Sequence, residues 1–186
     1  MTLLDESRPF VAVRFAVLTV SDTRTLDDDK SGATLVERIE AAGHHVADRA
    51  IVADDVEAIR GKVGVWIADA DIDAVITTGG TGFTGRDVTP EAIEPLFEKR
   101  MEGFSVAFHH LSMAKIGTST IQSRATAGLA GATFVFCLPG SPGACRDGWD
   151  GILAPQFDYR HRPCNFVEIM PRLDEHLKRG KAQGTK

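Results

Sequence analysis

The sequence predicts an α/β protein, a three-layer sandwich in which a mostly parallel sheet carries helices on both faces. Strand-like and helix-like segments alternate along most of the chain, which is typical of parallel strands joined by crossover helices. The first strand-like segment, residues 10–20, is almost continuously apolar. That pattern indicates a strand covered on both faces.

The predicted strands are rich in β-branched or aromatic residues and are bounded by Gly, Pro, Asp or Ser. They are residues 10–20, 45–52, 73–78 and 133–138. Helices are predicted over residues 31–42, 55–70, 89–99, 104–115 and 142–153, with a frayed helix in the charged C-terminal segment. A short helix or a turn is predicted over residues 122–130.

The ends of the first three helices carry capping signals. Ser31 is the predicted N-cap of the first helix, and Gly43 suits its C-terminal end. Asp54 or Asp55 is predicted to cap the second helix. The third begins at the segment 89–91, Thr-Pro-Glu, because Pro is tolerated in the first helical turn.

Length and composition indicate one domain over residues 1–186, with a short flexible N-terminus (about 1–9) and a charged C-terminal tail (about 172–186). No apolar run has the length of a membrane span or a signal-peptide core. The net charge of −5 argues against general nucleic-acid binding. The three cysteines are too few and too far apart for a zinc site or a disulfide framework. We therefore expect a cytoplasmic protein with reduced thiols that uses neither membrane nor nucleic acid.

Small polar residues follow three of the predicted strands. The first strand leads into residues 21–24, the third into 79–82 and the fourth into 139–142. The carboxyl ends of parallel strands share one edge of a sheet, where ligands bind at a switch in strand order. We therefore favour a ligand-binding edge over ordinary turns.

The stretch TTGGTGFTGRDVTPEA, residues 77–92, is rich in glycine immediately after a strand. Glycine allows backbone N–H groups to approach a phosphate closely, and a nearby helix N-terminus adds a favourable dipole. The stretch is not a P-loop, since GxxxxGK[ST] is absent. It matches GxGxxG only loosely, because the helix does not open at Gly85, so a nicotinamide-dependent oxidoreductase has little support.

Asp87 is unusual beside a phosphate site, because two unit charges about 4 Å apart repel by roughly 4 kcal/mol at an effective dielectric constant of 20. Two roles remain open for it. Asp87 caps the following helix, or it holds Mg²⁺, which bridges carboxylates to substrate phosphates. Asp54, which follows the second strand, is then the candidate for a second ligand.

The 77–92 stretch, together with SRATAG (123–128) and LPGSP (138–142), resembles the MoaB/MogA family of molybdenum-cofactor biosynthesis proteins. GTSTIQSRA (117–125) and HRPCNF (161–166) are more similar to the MoaB branch. The resemblance implies a molybdopterin-binding fold and a trimeric or hexameric homo-oligomer. It also implies adenylylation of molybdopterin by Mg-ATP with release of pyrophosphate, and a downstream molybdenum-insertion enzyme as a partner.

The resemblance also assigns roles to residues at matching positions. Asp54 and Asp87 are the expected catalytic acids and Mg²⁺ ligands. Residues expected to bind the substrate, mainly its phosphate, are Ser21, Asp22, Gly79, Gly80, Thr81, Gly82, Ser123 and Arg124. Residues expected to line the nucleotide pocket are Pro139, Gly140, Ser141 and Pro142.

One departure from the family pattern keeps an alternative open. The active branch usually has Pro-Asp in the second loop, whereas this chain has Ala53-Asp54. The retained acid favours an enzyme. The MoaB-branch character of the chain leaves a non-catalytic protein that binds or carries molybdopterin as the alternative.

Overall fold

The computed structural model describes residues 3–175, and within them six strands form one sheet in the order β3-β2-β4-β7-β6-β5. The strands of the protein are β1 (Leu3–Leu4), β2 (Arg14–Val20), β3 (His45–Val52), β4 (Ala74–Thr78), β5 (Lys99–Arg100), β6 (Thr126–Ala130), β7 (Thr133–Leu138) and β8 (His161–Arg162). Four neighbouring strands, β3, β2, β4 and β7, are parallel, and β6 and β5 continue the sheet antiparallel. The predicted, mostly parallel sheet is therefore confirmed, with β2 beginning later than expected.

Helices cover both faces of this sheet, as predicted. They are α1 (Lys30–Ala41), α2 (Val56–Ala68), α3 (Thr89–Ile93), α4 (Glu102–Ile116), α5 (Pro142–Gly148), α6 (Ala154–Phe157) and α7 (Phe166–Ile169). A π-helical turn, Trp149–Leu153, joins α5 to α6, and 3₁₀ turns occur at Glu94–Leu96, Gly117–Gln122 and Met170–Arg172.

The alternation of side chains along β2 divides the protein into two cores. Phe15 and Val17 belong to a cluster completed by α1, α4 and the segment from α5 to α7. Ala16 and Leu18 point to the other face and pack with α2 and α3. Because successive strand residues face opposite sides, a strand buried on both faces must be apolar throughout.

The N-terminus of α1 differs from the prediction. Asp29, not Ser31, is the N-cap, and its buried carboxylate accepts a hydrogen bond from the N–H of Gly32 at 2.8 Å. Ser31 lies inside the helix, and its hydroxyl donates to the carbonyl oxygen of Gly140. The helix ends as expected at Gly43, which has a φ of +86° immediately after the last helical residues.

Residues 126–130 form the strand β6, so the predicted helix or turn over 122–130 is wrong for this part. The segment pairs with β7 across a tight turn at 131–132. Gly128 lies directly beneath the ring of Phe97, and a Cβ there would come within 2.4 Å of the ring. A poor strand former is therefore required at this position by packing.

The helix that begins at Thr89 is shorter than predicted. It ends at Ile93 and continues only as a 3₁₀ turn, Glu94–Leu96, before β5. Pro95 explains the early end, because its nitrogen carries no hydrogen and cannot donate a helical hydrogen bond to the carbonyl oxygen of Glu91. The shortening leaves α3 as a compact support beneath the glycine-rich loop.

The N-terminal end of the described chain pairs with a strand close to its C-terminal end. Leu3 pairs with Arg162 and Leu4 with His161 in an antiparallel β1–β8 ribbon. Asp5 accepts hydrogen bonds from Arg162, at 2.9 Å from Nη2. This pairing holds the described part of the segment that was predicted to be flexible (about 1–9), while residues 176–186 of the predicted tail lie outside the described residues.

All three cysteines are free thiols, as expected. Cys137 and Cys145 are buried, and burial raises the pKa of their thiols to about 12 and about 11. Cys164 is exposed. Among residues 3–175, every helix is too short or too polar to span a bilayer.

Candidate functional site

The loops that follow the four parallel strands lie at one edge of the sheet. After β2 the chain turns back to β3 on one side and then crosses to β4 on the other, so the switch in strand order lies between β2 and β4. A cavity of about 160 Å³ opens there. Its lining includes Ser21, Gly79, Gly140 and Pro142, so the structure brings together three of the predicted loops.

The glycine-rich loop, residues 79–82, passes unusually close to other backbone. Gly79 has a φ of +103°, and a Cβ on it would lie 2.3 Å from the carbonyl oxygen of Val20. Gly80 has a φ of +62°, and a Cβ there would lie 2.4 Å from Oγ1 of Thr89. Both conformations favour glycine, so the two residues are needed for the course of the loop.

Two backbone N–H groups of the glycine-rich loop lack an acceptor in the described part of the chain. The N–H of Gly79 donates to the carbonyl oxygen of Leu138 at 3.1 Å, which ties the loop to β7. Among residues 3–175, no acceptor receives a hydrogen bond from the N–H of Gly80 or Thr81. An anion supplies the acceptor that such N–H groups require.

Thr89 fixes the loop from below. Its buried hydroxyl donates to the carbonyl oxygen of Gly79 at 2.8 Å, and its backbone N–H donates to the carbonyl oxygen of Gly80 at 2.9 Å. The sequence marked Thr89 only as the start of a helix. Its buried hydroxyl makes it a structural part of the site.

Arg124 fixes the same loop from the other side. Its Nε donates to the carbonyl oxygen of Gly82 and its Nη2 to that of Asp87, both at 2.8 Å, and Nη1 contacts Glu91. The guanidinium also lies over the ring of Phe83. Arg124 therefore supports the loop, and the direct contact with the substrate that the resemblance implies stays a prediction.

Asp54 lies beside Gly80 at the end of β3, where a Cβ on Gly80 would be 3.0 Å from its Oδ1. Burial raises the pKa of this half-buried carboxyl, and the negative charges of Asp22 and Asp87 raise it further. The neighbouring Asp55 caps α2 by accepting from the N–H of Ala58 at 2.9 Å. The open choice between the two aspartates is thus resolved, and the Asp54 carboxylate is available to the site.

Asp87 is not the cap of α3, whose N-cap position is Val88 without a side-chain bond. Its Oδ2 accepts from the N–H and the hydroxyl of Thr84, at 2.9 and 2.6 Å. Burial raises the pKa of Asp87, but the hydrogen bonds from Thr84 and Gly82 outweigh it, and the pKa lies below its usual value. Asp87 is therefore held as a carboxylate at the edge of the glycine-rich loop.

Asp54 and Asp87 suit a magnesium ion only if a substrate completes the site. No group of three or more His, Cys, Asp or Glu side chains within residues 3–175 is arranged to hold a metal ion. Mg²⁺ commonly uses one or two carboxylates and takes its remaining ligands from water and substrate phosphates. Burial is the main cause of the raised pKa of Asp54, and the charges of Asp22 and Asp87 add to it; a cation relieves both penalties.

The loop after β2 is held by its own side chains. The hydroxyl of Ser21 accepts from the N–H of Thr23 and of Arg24. Asp22 binds Arg86 through both carboxylate oxygens and accepts from the N–H of Asp54 at 3.1 Å. No pattern in the sequence marks Arg86 as part of the site.

The last loop approaches the glycine-rich loop backbone to backbone. A Cβ on Gly140 would lie 3.0 Å from the Cα of Gly79. Pro139 accepts a hydrogen bond from Thr78, and Ser141 caps α5, whose first residue is Pro142. Of the four predicted nucleotide-pocket residues, Gly140 and Pro142 therefore line the cavity, while Pro139 and Ser141 hold the loop in place.

Asp29, the last of three consecutive aspartates (residues 27–29), forms part of the cavity wall. Its carboxylate is buried and accepts from the hydroxyl of Thr19 at 2.7 Å and from Arg49 at 2.9 Å. Pairing with Arg49 and three hydrogen bonds make burial of this charge tolerable. An acidic run in the sequence does not reveal which member is buried.

Ser123 faces a second, polar pocket of about 200 Å³. Arg100, Ser105 and His109 are among its other lining residues. The hydroxyl of Ser123 is buried and has no hydrogen-bond partner among the described residues. The N–H of Arg124 donates to Thr81, so the segment 123–124 joins this pocket to the glycine-rich loop.

A family model described as "Probable molybdopterin binding domain" matches residues 16–159. This range contains the two pockets described above, the glycine-rich loop, Asp54 and Asp87. The chain belongs to the MoaB/MogA family.

Curated MoaB relatives agree with this assignment. The chain is 52% identical over 160 residues to "Molybdenum cofactor biosynthesis protein B" of Escherichia coli K12, covering 86% of this chain and 94% of that protein. It is 46% identical over 145 residues to the protein of the same name from Bacillus subtilis 168, covering 77% of this chain and 85% of that protein. The role in molybdenum cofactor biosynthesis predicted from the motifs is thus supported.

Solved structures of MoaB proteins share the fold. A crystal structure of Molybdenum cofactor biosynthesis protein B matches with a TM-score of 0.81 and 38% identity, covering 90% of this chain and 99% of that chain. The tungsten cofactor synthesizing protein MoaB from Pyrococcus furiosus matches with a TM-score of 0.67 and 37% identity, covering 78% of this chain and 93% of that chain.

Proposed function

We propose that this protein adenylylates molybdopterin with Mg-ATP. The observation that carries the proposal is the meeting, at the β2–β4 switch point, of the free N–H groups of Gly80 and Thr81 with the carboxylates of Asp54 and Asp87. Free backbone donors suit phosphate oxygens, and carboxylates beside phosphates suit a divalent cation. The family membership supports the same class of substrate.

In the proposed reaction, an oxygen of the terminal phosphate of molybdopterin attacks the α-phosphorus of ATP. The bond from that phosphorus to the bridging oxygen breaks, and pyrophosphate leaves. Transfers of this kind depend on in-line placement and on stabilisation of negative charge more than on a strong protein nucleophile. The glycine-rich loop, braced by Thr89 and Arg124, supplies fixed placement of its donors.

Asp54 and Asp87 are the proposed ligands of Mg²⁺, which, when bound, neutralises charge on the phosphates. Asp87 is oriented by Thr84 and stays ionised. Asp54 gains most from the cation, since burial and then the nearby negative charges raise its pKa in the protein alone.

We place the pterin side of the substrate near Ser123. Its buried hydroxyl without a partner lines a polar pocket next to the glycine-rich loop. A ligand polar group in this pocket satisfies the hydroxyl, which burial otherwise penalises. The nucleotide then occupies the cavity formed by Ser21, Gly79 and Gly140.

A carrier that binds molybdopterin without turning it over is the second candidate. The engagement of Arg124 favours it, because this guanidinium is used by Gly82, Asp87 and Glu91 instead of being free for a phosphate. Both candidates include the homo-oligomer, trimeric or hexameric, and transfer of the ligand to a downstream molybdenum-insertion enzyme.

Pyrophosphate release from purified protein, molybdopterin and Mg-ATP tests the proposal. The wild-type protein is expected to release pyrophosphate only when molybdopterin is present. In the Asp87→Asn variant, Asn keeps an oxygen for Thr84 but loses the charge, and we expect a loss of turnover of roughly a hundredfold or more. Its melting temperature should fall slightly, because the lowered pKa of Asp87 means that the fold favours this charge. Molybdopterin binding without any pyrophosphate release would establish the carrier instead.

A further inference from the structure

Arg86 connects the loop after β2 to the glycine-rich segment. Its Nε lies 2.9 Å from Oδ2 of Asp22, and its Nη2 lies 2.7 Å from both carboxylate oxygens. Asp22 also accepts from the N–H of Asp54. These contacts place the guanidinium of Arg86 at the rim of the site, where its positive charge acts on Asp54.

The contacts of Asp22 assign it a role different from substrate binding. Both of its oxygens are occupied by Arg86, and one also receives a backbone N–H. A carboxylate held in this way orients the guanidinium, because the forked contact fixes the plane of the arginine. Asp22 therefore acts through Arg86.

The guanidinium of Arg86 retains donors for a ligand. No residue in the range 3–175 accepts a hydrogen bond from its Nη1, and the side chain is 65% exposed. Arginine suits phosphate groups because its N–H donors are planar and permanently charged. A guanidinium oriented on one side and open on the other is arranged for an anion.

Stabilisation of the fold does not explain this ion pair. An exposed salt bridge contributes about 0 to 1 kcal/mol to folding. The glycine-rich loop is already fixed by Thr89 and Arg124. Unlike the Thr89 and Arg124 contacts, the Asp22–Arg86 pair leaves a charged donor, Nη1 of Arg86, without an acceptor among residues 3–175.

We propose that Arg86 binds the pyrophosphate portion of the nucleotide and that Asp22 is its positioning residue. The inference rests on the proposed function, since it names the residue that holds the leaving group of that reaction. Arg86 thereby contributes to the selection of a nucleoside triphosphate over a monophosphate.

Calorimetric titration of the full chain with inorganic pyrophosphate and Mg²⁺, without molybdopterin, tests the proposal. Arg86→Gln is expected to weaken binding by roughly tenfold or more, the value of a charged hydrogen bond. Asp22→Asn is expected to weaken it less, because the arginine charge remains. The double variant should bind as Arg86→Gln alone does, since Asp22 acts through Arg86.

Arg162→Gln is the matched control. Arg162 makes a similar forked contact with Asp5 in the β1–β8 ribbon, and its replacement should leave pyrophosphate binding unchanged. Wild-type affinity in Arg86→Gln, or an equal loss in Asp22→Asn and Arg86→Gln, would overturn the inference and leave the pair as a clasp between loops. Absence of pyrophosphate binding in the wild-type protein would overturn the proposed function, and this inference with it.

Discussion

Asp54 and Asp55 are neighbours in the chain but do different work. Asp55 caps α2 through the N–H of Ala58, whereas Asp54 lies at the site beside Gly80. The sequence restricted the cap to these two residues but could not choose between them, since either suits an N-cap. The choice depends on the backbone at the end of β3, which turns one carboxylate towards the helix and the other towards the sheet edge.

Replacing each of these aspartates by alanine separates the two roles. Asp54→Ala should reduce pyrophosphate release by roughly a hundredfold or more, because a charge that acts on the phosphates is lost. It should not reduce stability, since the raised pKa means that the fold disfavours this charge. Asp55→Ala should lower the free energy of unfolding by about 1 kcal/mol and retain turnover. Urea unfolding measures stability, and pyrophosphate release measures turnover. A loss of stability in Asp54→Ala together with a loss of turnover in Asp55→Ala would exchange the two assignments.

His44 provides a second prediction at a single residue. It is 4% exposed, packs against Phe10, Phe15 and Trp149, and accepts the N–H of Val13 at Nδ1. Burial lowers the pKa of His44 from 6.5 to about 4, with His45 adding to the shift and Asp158 opposing it. The neutral ring is therefore required by the folded state.

Stability should consequently fall as the pH is lowered from 6.5 towards 4. In that range His44 binds a proton in the unfolded chain but not in the folded protein. The stabilisation by the neutral ring is therefore fully present above pH 6.5 and is lost progressively as the pH falls towards 4. We expect His44 to make the protein about 2 kcal/mol less stable at about pH 5 than at about pH 7.5. His44→Asn keeps an acceptor for Val13, and its urea-unfolding free energy should depend less on pH. An unchanged pH dependence in this variant would contradict the assignment.

At the scale of elements, strand–helix alternation predicted the sheet because each buried strand is apolar on both faces. The same reasoning missed β6, since Ala and Gly are poor strand formers and the register of this strand depends on Phe97 covering Gly128. It also extended α3 too far, although Pro95, which cannot donate a helical hydrogen bond, was a usable signal for the end. The roles of Thr89 and Arg86 could not be predicted, because their partners are distant loops that only the fold brings together.

The glycine-rich loop permits a test of its backbone requirement. Gly79→Ala should lower the free energy of unfolding by about 2 kcal/mol or more, because Ala disfavours the positive φ and its Cβ meets the carbonyl oxygen of Val20. Gly85 lies in the same segment with open space around it, so Gly85→Ala should change stability by less than about 0.5 kcal/mol. Chemical denaturation compares the two. Equal stabilities of the Gly79→Ala and Gly85→Ala variants would mean that the loop can adopt another backbone conformation at residue 79.

At the scale of the whole molecule, α4 presents an apolar surface to solvent. Val106 and Met113, seven residues apart on one face, are 70% and 45% exposed, and Ile116 and Ile121 follow. Phe104 and Phe108 on the opposite side belong to the core. The sequence could not separate these roles, because apolar residues occur on both sides of the helix. A second copy of the chain is the expected occupant, in line with the predicted homo-oligomer.

Sedimentation of two charged variants tests this expectation. The wild-type protein should sediment as a trimer or a hexamer. Val106→Asp should shift it to smaller species, because a buried unpaired charge is costly at an interface. Val65 is similarly exposed, at 65%, but lies on α2, so Val65→Asp should sediment as the wild type does. A monomeric wild-type protein would remove the oligomer from the proposal.

The three thiols differ in exposure, so their rates of alkylation report on local opening of the protein. Cys164 is accessible to an alkylating reagent in the native protein, while burial and a raised pKa keep Cys137 and Cys145 unreactive. Cys145 lies beneath the last loop of the site, with its sulfur 3.2 Å from the hydroxyl of Thr78. Mass spectrometry of alkylated protein therefore follows how often this wall of the cavity opens, and a bound nucleotide that closes the wall should slow the labelling of Cys145 without altering that of Cys164.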